Sequence, residues 1–264
     1  MARPFLLAQV TDLHIRVRGE LCLGKVDTTA MLRACVRHIL ALEHPPQAVV
    51  FTGDLVDSGA AQEYAALREL IAPLPMPMYL MPGNHDERDA LRAAFPEHGY
   101  LRQSQEFIQY VIDDHPLRIV ALDTLIPGKG SGELCDRRIE WLDRTLALAP
   151  EKPTVVLMHH PPFQTLITYM DQFPLRDRDA LAAVIRRNPQ VHAILCGHVH
   201  RPIETLFAGT LASISPSVAH QVALELGAGA PLRISMEPPA YRLHAYTPDA
   251  GLVSHTVYVG EFAR

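Results

Sequence analysis

The sequence predicts an α/β fold, and two observations lead to that prediction. Strand-length apolar runs alternate with segments of helical periodicity, and most of the runs are apolar throughout. A strand that is apolar on both faces lies between two layers, as the strands of mostly parallel sheets do. The chain has 264 residues, enough for one large domain or two small ones. We expect one domain over residues 1–264, because no repeat, low-complexity tract or linker divides the chain.

The alternation is clearest in the first three quarters of the chain. We expect strands over residues 5–10, 48–51, 78–81, 117–122, 154–158 and 193–196. Between them we expect helices over residues 28–42, 61–71, 137–148 and 177–187. Asp27 is expected to cap the first of these helices and Asp136 the third, since a carboxylate accepts hydrogen bonds from the free N–H groups there.

The chain changes character in residues 203–264, where strand-like pieces follow one another without a helical pattern. These pieces span residues 210–214, 222–226, 241–246 and 253–259. We expect this β-rich part to complete the sheets. The alternative is that it forms an edge used in contacts between subunits.

Composition narrows the class of protein. The 24 basic and 29 acidic residues give a net charge of −5, so no overall positive field attracts nucleic acid. The four cysteines form no CxxC pair and are typical of a reducing compartment. No run approaches the roughly 18 apolar residues of a membrane-spanning helix, and residues 1–10 resemble a strand rather than a signal peptide. We therefore expect a cytoplasmic protein that binds neither nucleic acid nor membranes.

The 14 histidines are distributed unevenly along the chain. Six of them follow apolar runs, at the strand ends where α/β sheets carry functional residues: His14, His85, His159, His160, His198 and His200. Seven others have no motif around them and are expected at surfaces and helix ends: His38, His44, His98, His115, His192, His244 and His255.

Five short motifs stand at the predicted strand ends. They are Asp12-Leu13-His14, Gly53-Asp54, Gly83-Asn84-His85-Asp86, His159-His160-Pro161-Pro162 and Gly197-His198-Val199-His200. Each alone is more often a turn or a hydrogen-bonded polar residue. Together they supply the oxygen and nitrogen donors that suit Mn, Fe or Zn. The glycines let the chain turn sharply off a strand and approach a ligand closely.

This ordered set of motifs resembles the calcineurin-like metallophosphoesterases. The chain length and the HHPP form of the fourth motif resemble the bacterial class III cyclic nucleotide phosphodiesterases and glycerophosphodiesterases. The resemblance covers roughly residues 5 to 220. It implies a four-layered α/β/β/α sandwich, a dinuclear metal site at the C-terminal edge of the strands, and a homo-oligomer, dimer or higher. It also implies two divalent transition-metal ions per chain, Mn, Fe, Zn or Co.

The resemblance places Asp12, His14 and His200 on the first ion, Asn84, His159 and His198 on the second, and Asp54 between them. The spacing of the last motif agrees, since two histidines separated by one residue can point the same way and reach ions about 4 Å apart. Adjacent side chains diverge, so only one residue of the His159-His160 pair is expected to be a ligand. The family pattern makes it His159, and His160 supports it or lines the pocket.

The same resemblance implies that Asn84, His85 and His220 bind substrate. His85 would bind a non-bridging phosphate oxygen or protonate the departing alkoxide, and the alternative is that it only hydrogen-bonds its own loop. Asp86 is expected to orient His85 or to shape that loop. His220 resembles a pocket histidine of the glycerophosphodiesterase branch.

The expected function is hydrolysis of small phosphodiesters, 3',5'-cyclic nucleotides or glycerophosphodiesters, by attack of a metal-bound hydroxide. The alternatives are a phosphomonoesterase or a nuclease on the same site, or a non-catalytic scaffold with this fold.

Three further features near the motifs are ambiguous in the sequence. The loop over residues 128–132 is expected to be flexible. Core packing is favoured over a selectivity loop for Tyr169, Met170 and Phe173. Four arginines near the motifs are weaker candidates for substrate contact: Arg16, Arg18, Arg88 and Arg201.

Overall fold

The computed structural model describes residues 3–262, which form strands and helices in alternation up to residue 196. The helices are α1 Thr28–Leu40, α2 Ala61–Ile71, α3 Arg88–Ala94, α4 Asp136–Ala147 and α5 Arg178–Arg186. The strands that alternate with them are β1 Phe5–Val10, β2 Ala48–Thr52, β3 Met78–Met81, β4 Tyr110–Ile112, β5 Arg118–Ala121, β6 Thr154–Leu157 and β7 Val191–Cys196. The later strands are β8 Ile203–Phe207, β9 Thr210–Ile214, β10 Gln221–Val222, β11 Ile234–Ser235, β12 Ala240–Thr247 and β13 Gly251–Tyr258.

Two mixed sheets organise the chain. The first has the strand order β13-β12-β1-β2-β3, in which β1, β2 and β3 are parallel and β12 pairs antiparallel with β1. The second has the order β4-β5-β6-β7-β9-β8, with β5, β6, β7 and β9 parallel. Parallel neighbours end at the same edge, so each sheet brings its loops together at one end.

The layers follow from strands that are apolar on both faces. Along β6, Val155 and Leu157 face a core that includes the first sheet and α1, α2 and α3. Val156 between them belongs to a second core with α4 and α5. Helices therefore pack on the far side of both sheets, and the expected four-layered α/β/β/α sandwich is confirmed. Among residues 3–262, none of the helices combines the length and hydropathy needed to cross a bilayer.

The predicted helices agree with the structure to within two residues at each end. Asp27 caps α1 as expected, accepting a hydrogen bond of 2.8 Å from the Ala30 N–H. The prediction for Asp136 is wrong: it is the first residue of α4, and Cys135 precedes it without a side-chain cap. In the first turn the Asp136 carboxylate still interacts favourably with the helix dipole.

The β-rich part departs further from the prediction. Instead of the strand expected over residues 222–226, the structure has only the two residues of β10. The chain then forms a loop that is closed by a hydrogen bond from the Ala223 N–H to the Arg233 carbonyl. Four elements were not predicted: α3, β4, β8 and β11. Strand β8 lies at a sheet edge with three of its five residues exposed, so it lacks an apolar pattern.

One histidine expected at the surface is buried. His244 lies on β12, which pairs with β1 on one side and with β13 on the other, and it is fully buried inside the sheet. Its Nε2 lies 3.1 Å from Gln9 Oε1 and its Nδ1 lies 2.7 Å from Ser254 Oγ. These partners are not visible as a sequence motif because they lie on other strands, 235 and 10 positions away in the chain.

Candidate metal centre

The five motifs predicted at strand ends meet at one end of the two sheets. Three of them follow β1, β2 and β3 of the first sheet, and two follow β6 and β7 of the second. Six of the seven predicted metal ligands are buried: Asp12, His14, Asp54, His159, His198 and His200. The seventh, Asn84, is half-buried.

A first cluster contains Asp12, His14, Asp54 and His200, whose nearest donor atoms all lie within 4.8 Å of one another. His14 Nε2 and His200 Nε2 are 3.1 Å apart. Asp54 Oδ2 lies 3.6 Å from His14 Nε2, and Asp12 Oδ1 lies 3.5 Å from His200 Nε2. The four side chains thus aim oxygen and nitrogen atoms at a common point.

A second cluster lies beside the first. Asn84 Oδ1 is 3.1 Å from His159 Nε2 and 3.0 Å from His198 Nδ1. Asp54 Oδ2 approaches this cluster as well, at 3.3 Å from His159 Nε2. The same carboxylate oxygen therefore faces both clusters, which is the arrangement that a bridging ligand needs.

In three of the imidazoles, Nδ1 points away from the clusters and forms a hydrogen bond that fixes the orientation of the ring. Nδ1 of His14 donates to Asp57 Oδ1 at 3.2 Å, and Nδ1 of His200 donates to the His220 carbonyl at 3.0 Å. Nδ1 of His159 donates to the Thr52 carbonyl at 2.9 Å. Donation from Nδ1 leaves the Nε2 lone pair pointing into the clusters, the usual arrangement of a metal-binding histidine.

His160 differs from its neighbour His159. Its Nδ1 lies 2.8 Å from Thr124 Oγ1 and its Nε2 lies 3.0 Å from the Gly130 carbonyl. Both ring nitrogens are therefore engaged, although the ring lies close to His159 and His198. The expectation that the two adjacent side chains diverge is wrong, since a donor nitrogen of His160 lies within 4.8 Å of one on His159. What distinguishes His160 is that both of its ring nitrogens already have partners outside the clusters.

The backbone at the site is constrained. Five of the seven predicted ligands have φ between 45° and 73°: Asp12, His14, Asp54, His198 and His200. Such conformations are costly for residues with a Cβ and are concentrated at functional sites. Gly53 has φ of 94°, and a Cβ there would overlap the His159 imidazole, so this turn requires glycine.

Burial and mutual charge perturb the acids and bases of the clusters. Burial raises the pKa of Asp12 to about 6. Burial alone would lower the pKa of His159, but the Asp54 and Asp12 carboxylates and the hydrogen bond to the Thr52 carbonyl together raise it to about 9. Burial lowers the pKa of His198 to about 3 and so favours its neutral form, which can bind a metal.

The residues present fit divalent metal ions. Carboxylate, amide and imidazole donors suit transition metals, and within the described chain Asp12 Oδ2 is buried without a hydrogen-bond partner. A cation would satisfy that oxygen and would offset the charge of the buried carboxylates.

Two of the predicted substrate-binding residues line the open side of the clusters with Asn84. The side chain of His85 is 40% exposed, and its Nδ1 donates to the Asp57 carbonyl at 2.7 Å. His220 is buried, with its ring centroid 4.7 Å from that of His200, and burial lowers its pKa to about 4. Asp86 shapes the loop, accepting hydrogen bonds from the backbone of Leu55 and Gly83 and from the Tyr64 hydroxyl.

A cavity of about 320 Å³ opens over both clusters. Tyr169, Met170 and Phe173 line it. Met170 also packs against the second core, so the expected core packing is confirmed for this residue but not for Tyr169 and Phe173. They follow the HHPP motif in a short segment that remains half-buried at the mouth of the site. Sequence reasoning also assigned no role to Asp57, which lines the cavity; its only signal is its position three residues after Asp54.

None of the four arginine candidates lines this cavity. Arg88 forms two hydrogen bonds with buried Asp123, at 2.7 and 2.9 Å. Arg16 pairs with Asp57 and Glu20. The others are Arg201, which bonds Glu237 and the Val222 carbonyl, and Arg18, which is exposed. Arg88, Arg16 and Arg201 thus each pair with an acidic residue, and the sequence pattern does not reveal these pairs.

The chain is similar to known proteins both in sequence and in fold. A probable glycerophosphodiester phosphodiesterase of Arcobacter nitrofigilis is 39% identical over 258 residues, covering 97% of this chain and 94% of that protein. A probable cyclic nucleotide phosphodiesterase of Rhodopseudomonas palustris is 39% identical, covering 88% and 85%. The structure of a dimetal phosphatase from Danio rerio superposes with a TM-score of 0.66 at 16% identity, covering 98% and 100%, which shows a shared fold.

The family described as Calcineurin-like phosphoesterase matches residues 5–202, three quarters of the chain and all five motifs. The resemblance seen in the sequence is therefore confirmed. This chain belongs to the calcineurin-like phosphoesterase family.

Proposed function

We propose that this protein is a dinuclear metal-dependent phosphodiesterase acting on small phosphodiesters, either glycerophosphodiesters or 3',5'-cyclic nucleotides. The observation that carries the proposal is the position of Asp54 Oδ2, which lies 3.6 Å from His14 Nε2 in one donor cluster and 3.3 Å from His159 Nε2 in the other. The names of the two relatives support both substrate classes.

In this proposal Asp12, His14 and His200 would hold the first ion, and Asn84, His159 and His198 would hold the second. The Asp54 carboxylate would serve both ions. When bound, two such ions would lower the pKa of a coordinated water to about 7 and would neutralise charge on the phosphate oxygens. The residues of the chain orient the ligands and exclude other water from the buried end of the site.

His85 would act on the leaving-group side. Its Nδ1–H is held by the Asp57 carbonyl, so Nε2 is the atom able to deliver a proton to the departing alkoxide. His220 and the amide of Asn84 border the same space and would position the phosphate. A diester fits the site better than a monoester, since the apolar part of the cavity offers a place for an ester arm that a monoester lacks.

The test is a substrate panel on chelated protein reconstituted with Mn, Fe, Co or Zn. Bis(p-nitrophenyl) phosphate, glycerophosphocholine and cyclic AMP would be compared with p-nitrophenyl phosphate and single-stranded DNA. We expect about two ions per chain and diester turnover far above that of the monoester and of DNA. Preference for the monoester or DNA would replace the proposal by a phosphomonoesterase or a nuclease. A metal-free, inert protein would indicate a scaffold.

Assembly and location are proposals that rest on the resemblance and on composition. We propose a homo-oligomer, dimer or higher, in the cytoplasm, where the four free cysteines would stay reduced. Light scattering on the purified protein tests the assembly.

A further inference from the structure

The cavity above the clusters is lined partly by polar donors and partly by apolar side chains. Next to the polar donors, Tyr169 and Phe173 supply two aromatic rings, with centroids 5.7 Å apart and planes inclined by 56°. Aliphatic side chains complete the apolar lining: Leu23, Val222, Leu232 and Ile234. Among the described residues that line this space there is no lysine or arginine.

This lining restricts the ester arm that the cavity can receive. Without a cationic side chain, a second anionic group on the substrate would have no partner. A quaternary ammonium gains most from aromatic faces around it, and here aliphatic side chains make up much of the apolar lining. A flat, uncharged ring can lie against aromatic and aliphatic surfaces alike. The volume of about 320 Å³ is at the small end for ligand pockets and suits one such ring beside the phosphate.

The aromatic lining is held in place by the loop over residues 128–132. A Cβ at Gly130 would lie 2.8 Å from Phe173 Cδ1, so the ring packs directly on the glycine backbone. The Gly130 carbonyl accepts a hydrogen bond from His160 Nε2 at 3.0 Å. Gly132 pairs with the backbone on both sides of Leu175, through the Pro174 carbonyl and the Arg176 N–H. The loop expected to be flexible is therefore tied to the cavity.

His160 connects this arrangement to the donor clusters, because it directly follows His159 on the strand-end loop after β6. Asp171 fixes the other end of the segment, accepting hydrogen bonds from the backbone N–H groups of Thr165 and Leu166. The position of the Phe173 ring relative to the clusters is thus set by hydrogen bonds rather than left to an open loop. A fixed ring can select among substrates by shape.

We propose that Phe173 and Tyr169, supported by Gly130 and His160, determine specificity by receiving a flat, uncharged ring on the ester arm that is not the leaving group. The inference rests on the proposed function, since it assigns a place to one arm of the diester. His160 is a positioning residue in this scheme.

The test uses three diesters that share p-nitrophenolate as leaving group and differ in the other arm, which is phenyl, methyl or choline. We expect the wild-type protein to prefer the phenyl diester over the methyl diester in kcat/KM. Phe173→Leu and Tyr169→Ala should each lower that preference about tenfold, through KM of the phenyl diester. Turnover of the methyl diester should change little, which reports that the metal site is intact.

Two further variants sharpen the result. Gly130→Ala adds only a methyl group, at a glycine whose φ lies outside the left-handed region, but it must displace the Phe173 ring and should also lower the phenyl preference. Leu166→Ala is the matched control, since this side chain lies in the same segment, is 66% exposed and does not line the cavity. It should behave as wild type.

An unchanged phenyl-to-methyl ratio in the Phe173 and Tyr169 variants would overturn the inference. A larger loss for the choline diester than for the phenyl diester would also overturn it, because the arm would then be a cation. If the wild-type protein with two bound ions hydrolyses none of the three diesters, the proposed function itself fails.

Discussion

At the scale of single residues, the hydrogen bonds behind the candidate ligands matter as much as the ligands. Three imidazoles expose Nε2 to the clusters because Nδ1 is bound elsewhere, twice by backbone carbonyls and once by the Asp57 carboxylate. Backbone partners are fixed by the fold, whereas Asp57 can be replaced. It is also held by Arg16 at 3.0 Å. Burial would raise its pKa, but the hydrogen bond from His14 and the nearby positive charges, including Arg16, together lower it to about 2.

We predict that Asp57→Asn weakens metal binding about tenfold to a hundredfold, because the amide is a poorer acceptor for the His14 Nδ1–H and orients that imidazole less firmly. The hydrogen bond from His85 should persist, since it goes to the backbone carbonyl of residue 57. Competition with a chelator measures the affinity. Asp113→Asn, at an exposed acid paired with Lys152, is the control. Equal affinity in both variants and wild type would show that Asp57 does not support His14.

A second residue-scale prediction concerns His85. We expect His85→Gln to retain both ions and to lower turnover of diesters with alkyl leaving groups, such as glycerophosphocholine, by about a hundredfold or more. Diesters that release p-nitrophenolate should lose much less, because that anion leaves without a proton. Metal content and kcat with both substrate types measure this. Equal losses would mean that His85 binds the phosphate instead of protonating the leaving group.

At the scale of elements, the strands whose position follows from a local run of apolar residues were predictable. The runs that became β1, β2, β3, β6 and β7 are apolar on both faces, and their polar successors at the strand ends gave the site motifs. Strand β8 and residues 169–173 were not predictable, because an edge strand and a segment at a cavity mouth carry mixed residues whose burial depends on distant partners. His244 shows the same limit, since its partner Gln9 lies 235 positions away.

The burial of His244 also leads to a prediction about how the free energy of unfolding depends on pH. Burial, with a contribution from Arg242, lowers its pKa in the folded chain to about 3, whereas in the unfolded chain it returns to about 6.5. Between these values the unfolded state binds more protons, so this residue's contribution to the free energy of unfolding is full above pH 6.5 and falls as the pH drops towards 3.

We predict that metal-free wild-type protein loses about 2 kcal/mol more of its free energy of unfolding between pH 7 and pH 5 than His244→Gln does. Urea denaturation at the two pH values measures the difference. His44→Gln, at an exposed histidine in the loop between α1 and β2, should follow the wild-type pH dependence. Parallel behaviour of all three proteins would show that His244 is not held neutral by burial.

At the scale of the whole molecule, the donors come from both sheets. Asp12, Asp54 and Asn84 follow strands of the first sheet, and His159 and His198 follow strands of the second. The shared core between the sheets holds these loops together. Ions bound at the clusters would tie the sheets at one end, so metal affinity and global stability should be linked.

We therefore predict that metal binding raises the melting temperature, and more at pH 8 than at pH 5.5. Ions at a hundred times their Kd add about 2.7 kcal/mol per site, which corresponds to roughly 5–10 °C for a chain of this size. Asp12, with a pKa of about 6, and His159, with a pKa of about 9, must lose protons before they bind, so lower pH weakens binding. Calorimetry with and without Mn at the two pH values measures the increment.

Asp54→Ala should remove most of this increment in melting temperature, because the carboxylate between the clusters serves both ions, while Asp113→Asn should keep it. An increment that is independent of pH, or unchanged in Asp54→Ala, would mean that the stabilising ion binds elsewhere.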